Sequence, residues 1–203
     1  MKIVIATNNA GKLVEFRRIL SPLGYEVVGQ GEVFQSIEVT EDGVSFAENA
    51  YKKAFEIFLR TGLPTVADDS GLCVDALGGE PGIYSARYAG EPHSDQACND
   101  KLLENMKDIP EERRTASFVS AICCILCEDD IIECEGRCEG RIGYAPKGQD
   151  GFGYDPLFMV GEKSFAELSG EEKDAISHRG VALRKLADEI KRRKDIAYIK
   201  TEV

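Results

Sequence analysis

The segment Ala67 to Gly71, which reads Ala-Asp-Asp-Ser-Gly, carries residue types that can do chemistry. Two adjacent carboxylates follow a short apolar run at 63–67, and a hydroxyl and a glycine come directly after them. In an open α/β sheet, acidic side chains at the carboxyl end of a buried strand project into a crevice where ligands bind. Such carboxylates can hold a hard divalent cation and leave one group to orient or deprotonate water. The same residues are standard turn formers, so a plain polar turn is an equal alternative.

A second polar segment, residues 7–12, reads Thr7-Asn8-Asn9-Ala10-Gly11-Lys12. It lies between an apolar strand predicted at 2–6 and a helix predicted at 12–20. A strand–turn–helix of this kind presents backbone N–H groups and the positive end of a helix dipole to an anion, with a lysine at the rim. The Walker A pattern is absent, since a leucine follows the lysine, and a generic connection remains the alternative.

Charged residues elsewhere could complete an anion or metal site. Acidic side chains precede the second predicted helix and could approach Asp69: they are Glu38, Glu41 and Asp42. On that helix, Lys52 and Lys53 offer cationic donors, and Arg87 is a candidate phosphate contact. Charged loops, solvated helix faces and surface arginines are common, so each of these signals is weak by itself.

The glycine-rich run 146–158 is typical of a ligand-binding loop. Its glycines at 148, 151 and 153 let the backbone approach a ligand closely, and Phe152 or Tyr154 could stack on a flat ring. Asp155 could accept a hydrogen bond from a base or a sugar. Downstream, Lys173 and Arg179 are pure donors that would read a carbonyl edge, whereas His178 could instead be a helix-capping residue.

Composition restricts the class of protein. The chain has 203 residues and a net charge of −11, and it has no apolar run near the roughly 20 residues of a membrane span. This length predicts a single domain over residues 1–203. The acidic balance argues against a broad nucleic-acid or anionic-membrane surface. We expect a cytoplasmic protein in which local cations or a metal ion would be needed to bind a small polyanion.

Seven cysteines, five of them between residues 123 and 138, raise the question of a zinc site. One pair has the short spacing of zinc ligands, Cys124 and Cys127, but both lie in the apolar run 121–126 or at its end. In a strand, side chains three residues apart point to opposite faces and cannot grip one ion. Free thiols in a reducing compartment are therefore the preferred interpretation.

Apolar periodicity predicts the elements that position these residues. Strands are expected at 2–6, 25–28, 36–39, 63–67 and 115–126, with a hairpin partner at 131–139. Helices are expected at 12–20, after the capping residue Ser45 up to Gly62, after Ser94, and at 179–193. Helices alternate with strands early and a hairpin follows, so the fold is predicted to be α/β with a mixed central sheet flanked by helices.

Six motifs occur together and in order along the chain: TNNAGK, SFAENAYKKA, ADDSGL, LGGEPGIYSARY, GFGYDPLF and EEKDAISHRG. In these motifs the chain resembles the inosine triphosphate pyrophosphatase family, enzymes that remove noncanonical purine nucleoside triphosphates. The resemblance runs from the first strand to the last helix. It implies two lobes with the active-site cleft between them, and it implies a homodimer.

The resemblance also implies roles for individual residues. It assigns the triphosphate to one turn and two lysines: Thr7, Asn8, Asn9, Ala10, Gly11, Lys12 and Lys53. It implies that Glu41 and Asp69 hold Mg²⁺ and that Asp69 accepts a proton from the attacking water. The other implied substrate contacts are Ser70, Arg87, Phe152, Gly153, Tyr154, Asp155, Lys173, His178 and Arg179.

The implied reaction hydrolyses the α–β phosphoanhydride of ITP, dITP or XTP and releases a nucleoside monophosphate and pyrophosphate. Two details depart from the family pattern or stay open. Asn8 stands where many relatives have a smaller residue, and Glu38 is the alternative to Glu41 as metal ligand. Two other functions also stay open: a pyrophosphatase for pyrimidine or other modified nucleotides, and a nucleotide-binding sensor without turnover.

Overall fold

The computed structural model describes the backbone of residues 1–201 and the side chains of residues 1–193. Seven strands form one sheet in the order β2-β1-β3-β4-β5-β6-β7. The strands are β1 (Lys2–Ile5), β2 (Glu26–Gly29), β3 (Thr65–Val74), β4 (Thr115–Cys127), β5 (Asp130–Ile142), β6 (Phe158–Val160) and β7 (Lys163–Ser164). β1 is parallel to β2 and β3, whereas β6 is antiparallel to β5 and β7. The sheet is therefore mixed, which confirms the predicted fold class.

The helices are α1 (Ala10–Leu20), α2 (Gln30–Val33), α3 (Phe46–Thr61), α4 (Asp95–Asn105), α5 (Gly170–Ile176) and α6 (His178–Thr201). The predicted caps are confirmed: the side chains of Ser45 and Ser94 accept hydrogen bonds from the first turns of α3 and α4. Gly62 ends α3 with a φ of 63°, a left-handed conformation that favours glycine. In the described part of the chain, no helix is long and apolar enough to cross a membrane.

The chain divides into two compact units. The first contains residues Met1–Asp69, Ala121–Glu135 and the chain from Gly180 onward. Its strand β1 serves two cores, because successive side chains of a strand point to opposite faces. Ile3 and Ile5 lie in one core, whose helical members are Phe16 and Leu20 of α1 and Ala182, Leu183, Leu186 and Ile190 of α6. Val4 of β1 and Ala6 just after it lie in the other core, with Ala50, Ala54 and Ile57 of α3.

The second unit contains residues Ser70–Ser120 and Gly136–Arg179, and its core is rich in aromatic rings. The Phe118 ring lies 4.6 Å from Phe158, 5.8 Å from Phe165 and 4.7 Å from His178, measured between ring centroids. Leu72 and Val74 of β3 and Cys98, Leu102 and Met106 on and just after α4 complete much of this core. A cluster of interlocked rings of this kind makes a stiff support for the loops that leave it.

The structure corrects the prediction for the strand that carries the aspartates. That strand was expected to end at residue 67, but β3 runs through Asp68 and Asp69 as far as Val74. Both aspartates are buried, so the polar-turn alternative is wrong. Aspartate, serine and glycine are depleted in strands, and here pairing within the sheet overrides that local preference.

A second correction concerns residues 36–39, which were predicted to be a strand and have no regular secondary structure. Alternating apolar residues imitate a strand there. The backbone is instead held by side chains, since the carbonyl oxygen of Ile37 accepts hydrogen bonds from Asn8 and Gln30. In β4, by contrast, the alternation argument holds, because Cys124 is fully buried and Cys127 is exposed.

Candidate active site

The turn at residues 7–12 is built by its own side chains. Asn9 caps α1, and its Oδ1 accepts a hydrogen bond of 2.9 Å from the backbone N–H of Lys12. The hydroxyl oxygen of Thr7 accepts one of 3.1 Å from the N–H of Asn9. Ala10 and Gly11 open the helix, so their N–H groups lie in the first turn, where an anion is stabilised. The predicted strand–turn–helix arrangement is therefore present.

Asp68 pairs with the lysine at the end of this turn. The Nζ of Lys12 lies 2.8 Å from Oδ2 of Asp68, whose side chain is fully buried. Because neighbouring residues of a strand point to opposite faces, Asp68 and Asp69 on β3 face different surroundings. The two adjacent carboxylates are therefore not equivalent.

Asp69 meets α3. The Nζ of Lys53 donates hydrogen bonds of 3.0 Å to Oδ1 of Asp69 and 2.7 Å to Oε1 of Glu41. One turn earlier on the same helix face, Nδ2 of Asn49 donates to Oδ2 of Asp69 at 3.2 Å. Asn49 is in turn fixed through its Oδ1, which accepts from the N–H of Gly43 at 2.8 Å. Both oxygens of Asp69 are thus engaged by residues of α3.

Burial and charge oppose each other in this cluster. Burial raises the pKa of Asp69, and the positive charges of Lys53 and Lys12 offset only part of that rise. For Lys53, burial lowers the pKa, but the carboxylates of Asp69 and Glu41 outweigh it and leave the pKa raised. The lysine therefore stays charged, and Asp69 is a stronger proton acceptor than an exposed aspartate.

The carboxylates of Glu41 and Asp69 suit a small divalent cation. Both carboxylates are hard oxygen donors. Both also contact the Lys53 ammonium, so the space between them is one in which a positive charge is stabilised. Among residues whose side chains are described, no group of three or more histidines, cysteines and acids gathers as a metal site. Two carboxylates would leave the remaining coordination positions to water and phosphate oxygens. The alternative ligand, Glu38, is exposed and lines a separate groove beside α3.

The second unit holds the turn formed by residues 152–155. Oδ2 of Asp155 accepts hydrogen bonds from the N–H of Phe152 at 2.9 Å and from Nζ of Lys173 at 2.6 Å. The same ammonium lies 4.8 Å from the centroid of the Phe152 ring. Sequence reasoning treated Asp155 and Lys173 as separate base contacts, whereas the structure pairs them beneath one aromatic ring.

Of the two rings considered for stacking, only one is accessible. Phe152 is partly exposed. Tyr154 is 4% exposed, and its hydroxyl donates a hydrogen bond of 2.9 Å to the carbonyl oxygen of Ser85. Burial also raises the pKa of Tyr154, so its hydroxyl keeps its proton. Phe152 is therefore the ring on which a flat ligand can stack, and Tyr154 anchors the turn.

Other predicted substrate contacts in the second unit are Arg179 and His178 at the start of α6 and Arg87 on a 3₁₀ helix. Arg179, at the start of α6, is buried and donates from a terminal guanidinium nitrogen to the hydroxyl of Ser70 at 2.7 Å. Its guanidinium lies 5.8 Å from the Phe152 ring centroid, while the neighbouring His178 stacks on the core ring of Phe118. Arg87 ends a 3₁₀ helix, and its guanidinium lies 5.1 Å from the centroid of Tyr84.

Sequence reasoning missed Asn49. This residue is fully buried and bound to Asp69, yet it was overlooked because the apolar stripe alone was used to orient the helix. The signal was available, since Asn49 lies four residues before Lys53 and therefore on the same face. A buried asparagine and a buried lysine at that spacing indicate a polar seam in an otherwise apolar face.

Comparison with known proteins gives consistent results. The sequence profile of the Ham1 family matches residues 3–189. A protein named dITP/XTP pyrophosphatase from Desulforamulus reducens is 50% identical over the full length of both chains. One of the same name from Bacillus subtilis is 46% identical and covers 91% of this chain and 94% of its own.

Solved structures agree with these matches. The Staphylococcus aureus Ham1 protein has a TM-score of 0.84 at 40% identity, covering 95% of this chain and all of its own. A nucleoside-triphosphatase / dITP/XTP pyrophosphatase from Mycobacterium abscessus has a TM-score of 0.73 at 49% identity, covering 92% and 98%. The Ham1 profile spans residues of both units and every motif on which the predicted family rested. The chain therefore belongs to the Ham1 family.

Proposed function

We propose that this protein hydrolyses noncanonical purine nucleoside triphosphates, namely ITP, dITP and XTP, to a nucleoside monophosphate and pyrophosphate. Relatives named dITP/XTP pyrophosphatase, each matched over at least 94% of its own length, support this reaction. The observation that carries it is the convergence of Glu41 and Asp69 on the Lys53 ammonium. Carboxylates and a charged lysine in one buried cluster suit a metal-bound phosphate chain. We infer that residues 1–203 act as one catalytic domain.

The triphosphate is proposed to bind to the first turn of α1. Backbone N–H groups of Ala10 and Gly11 would donate to phosphate oxygens, and Thr7, Asn8 and Asn9 would shape the turn. Lys12, Lys53 and Arg87 would offset the negative charge locally. Local cations of this kind explain how a chain with a net charge of −11 can bind a polyanion.

Glu41 and Asp69 are proposed to hold Mg²⁺, which when bound would neutralise charge on the phosphate oxygens. Asp69 has a second task, to accept the proton of the attacking water. The water oxygen forms a bond to the α-phosphorus, the bond from that phosphorus to the bridging oxygen breaks, and pyrophosphate leaves with the bonding electrons. Asn49 holds the carboxylate of Asp69 in place for this transfer.

The purine base is proposed to stack on Phe152, above the buried pair of Asp155 and Lys173. Arg179, His178 and Ser70 would line its edge, with Gly153 and Tyr154 shaping the backbone around it. A donor such as Arg179 favours the 6-keto group of hypoxanthine and xanthine and disfavours the 6-amino group of adenine.

One assay tests the reaction itself. The protein is incubated with dITP, ITP, XTP, dATP, dGTP and dCTP, with and without Mg²⁺, and the released anion is identified. We expect pyrophosphate, from the first three substrates and only with the metal. Orthophosphate, or equal rates on dATP and dITP, would overturn the proposal. Preference for dCTP would point to the pyrimidine enzyme, and binding without turnover would point to a sensor.

Neighbouring acidic residues provide a test of the metal ligand. Glu41→Gln should raise the Mg²⁺ concentration for half-maximal rate by roughly tenfold or more, because a ligand is lost. Asp42→Asn is the matched control, since Asp42 is exposed and pairs with Lys52. Glu38→Gln tests the alternative ligand. A change in metal dependence for Glu38→Gln, with none for Glu41→Gln, would reassign the site.

The protein is also proposed to be a homodimer that acts in the cytoplasm, where free nucleotides are made and used. A surface on α3 supports the dimer. Tyr51 and Phe55 stack with their centroids 5.6 Å apart, and Leu59 continues the row with 61% of its surface exposed. We call Tyr51, Phe55 and Leu59 the α3 stripe. Exposed apolar rows of this kind are typical of protein interfaces.

A further inference from the structure

Gly153 is bound by α4 through both of its backbone polar groups. Its N–H donates a hydrogen bond of 2.8 Å to Oδ2 of Asp95, and its carbonyl oxygen accepts one of 2.9 Å from Nδ2 of Asn99. Asp95 and Asn99 are four residues apart, so they lie on the same face of the helix. One helix face thus holds one residue of the loop from two sides.

We call Asp95 and Asn99, with their two hydrogen bonds to Gly153, the clamp. The clamp matters because of where Gly153 lies. Gly153 follows Phe152 directly and has a φ of 61°, a left-handed conformation in which a side chain would be strained. The N–H of Phe152 is already fixed by Asp155. The backbone of Phe152 is therefore held on its own N–H and at the next residue, and only the side-chain torsions of the ring are left to vary.

The helix that carries the clamp is firmly seated. Cys98 and Leu102 of α4 are buried in the aromatic core, and Asn99 itself is 6% exposed. The second oxygen of Asp95, Oδ1, lies 3.0 Å from Nε2 of His93. Because α4 is packed into the core, its hydrogen bonds transmit a fixed position to the loop.

We propose that Asp95 and Asn99 are positioning residues that set the place of the Phe152 ring and so the selection of the purine base. This inference rests on the proposed function, because it requires that the base stacks on Phe152. Both residues act through the backbone of Gly153, and their loss would let the ring move relative to the buried Lys173 ammonium below it.

Kinetics test the proposal with graded variants. Asn99→Ala removes the donor, and Asn99→Asp places a carboxylate against the Gly153 carbonyl, so its effect should be larger. We expect KM for dITP to rise roughly tenfold for Asn99→Ala, because misplaced contact groups weaken binding. The kcat should stay within about twofold, and the preference for dITP over dGTP should fall. Asp95→Asn keeps an acceptor oxygen and should retain most of the affinity.

Asp100→Ala on the same helix is the matched control. Asp100 is exposed and accepts a hydrogen bond from the side chain of Gln96. It should leave KM, kcat and base preference unchanged. If Asn99→Ala lowers kcat and the free energy of unfolding together while KM and base preference stay constant, the residue is merely structural and the proposal is overturned.

A spectroscopic readout separates this proposal from the proposed function. The chain contains no tryptophan, so Phe152→Trp introduces a single tryptophan at the stacking position, which can be excited selectively over the seven tyrosines. In the nucleotide-free protein, adding Asn99→Ala should speed the local anisotropy decay of that tryptophan, whereas adding Asp100→Ala should not. Unchanged decay overturns the clamp, whatever the enzyme hydrolyses. Faster decay in a protein that fails to hydrolyse dITP would support the clamp and reject the proposed substrate.

Discussion

Asp68 and Asp69 are neighbours in sequence but have different partners. Lys12 of α1 pairs with Asp68, and Lys53 of α3 pairs with Asp69. Each helix thus delivers one lysine to one face of β3. A charge change at either aspartate therefore affects a different part of the proposed site, so the two positions can be separated by experiment.

Asp69→Asn tests the proposed proton acceptor. The amide keeps the size of the side chain but cannot take a proton and is a poorer metal ligand, so kcat should fall by roughly 100- to 10,000-fold. Circular dichroism and thermal unfolding should show a retained fold. Turnover close to that of the unchanged protein would show that Asp69 is neither the base nor a metal ligand.

The pair of Lys12 and Asp68 links binding to stability. Lys12→Met removes the cation beside a fully buried carboxylate, which should lower the free energy of unfolding by about 3 kcal/mol and raise KM. Adding Asp68→Asn removes the buried charge, so urea unfolding should show recovered stability. KM should stay high, because the triphosphate still lacks its lysine. Recovery of KM in the double variant would contradict the proposed role of Lys12.

The family resemblance was sufficient to predict that Glu41 and Asp69 lie together, whereas it assigned Lys53 to the triphosphate and not to these two carboxylates. It was not sufficient to find Asn49, Asp95 or Asn99. Asparagine and aspartate occur often in caps and turns, so the residue type alone says little about whether such a side chain is buried. Their roles depend on which backbone or carboxylate lies opposite, and that is set by packing between distant segments.

At the scale of elements, caps and apolar stripes predicted helices well, and strands less well. α1 and α3 begin and end near the expected residues, and α4 begins after its expected cap, because local hydrogen bonds fix the starts of these helices and Gly62 ends α3. The sequence prediction ended β3 at residue 67, seven residues too early, because aspartates such as Asp68 and Asp69 have low strand propensity. The strand persists through its neighbours in the sheet, and pairing of this kind is not visible in local sequence.

The buried cysteines of β4 and β5 should make the folded protein less stable at alkaline pH. Burial raises the pKa of Cys123 and Cys124 to about 12 and that of Cys138 to about 11, against an ordinary value of 9.0. Below pH 9 the thiols are protonated in both the folded and the unfolded protein, so their full contribution to the free energy of unfolding is present. Above pH 9 the unfolded state loses protons first, so the free energy of unfolding should fall by up to about 1.4 kcal/mol per pH unit for each thiol.

Urea unfolding between pH 8 and pH 10.5, in the presence of a reductant, measures this slope. The double variant Cys123→Ala with Cys124→Ala should show a shallower dependence on pH. Cys127→Ala is the matched control at an exposed position of β4 and should leave the slope unchanged. Equal slopes for all three proteins would mean that the buried thiols do not carry the effect.

At the scale of the whole molecule, a net charge of −11 opposes self-association unless the contacting surface is locally neutral. The α3 stripe comes close to that condition. Its residues Tyr51 and Phe55 line a groove of about 660 Å³ in which Lys52 pairs with Asp42 and Arg60 with Glu56, so that Glu38 is the further charge beside them. The opposite side of the same helix carries Asn49 and Lys53. A partner seated on the stripe would therefore brace the helix that orients Asp69.

Phe55→Glu tests the proposed dimer. A carboxylate placed in the α3 stripe adds a like charge to both copies and removes a stacked ring, so light scattering coupled to size-exclusion chromatography should report a monomer. Val14→Glu on α1 is the control, because Val14 is also exposed but lies outside the stripe. If the stripe braces α3, kcat of the monomer should fall while KM changes less, since Lys53 and Asn49 hold Asp69, the proposed proton acceptor. A dimer that survives Phe55→Glu would move the interface elsewhere on the surface.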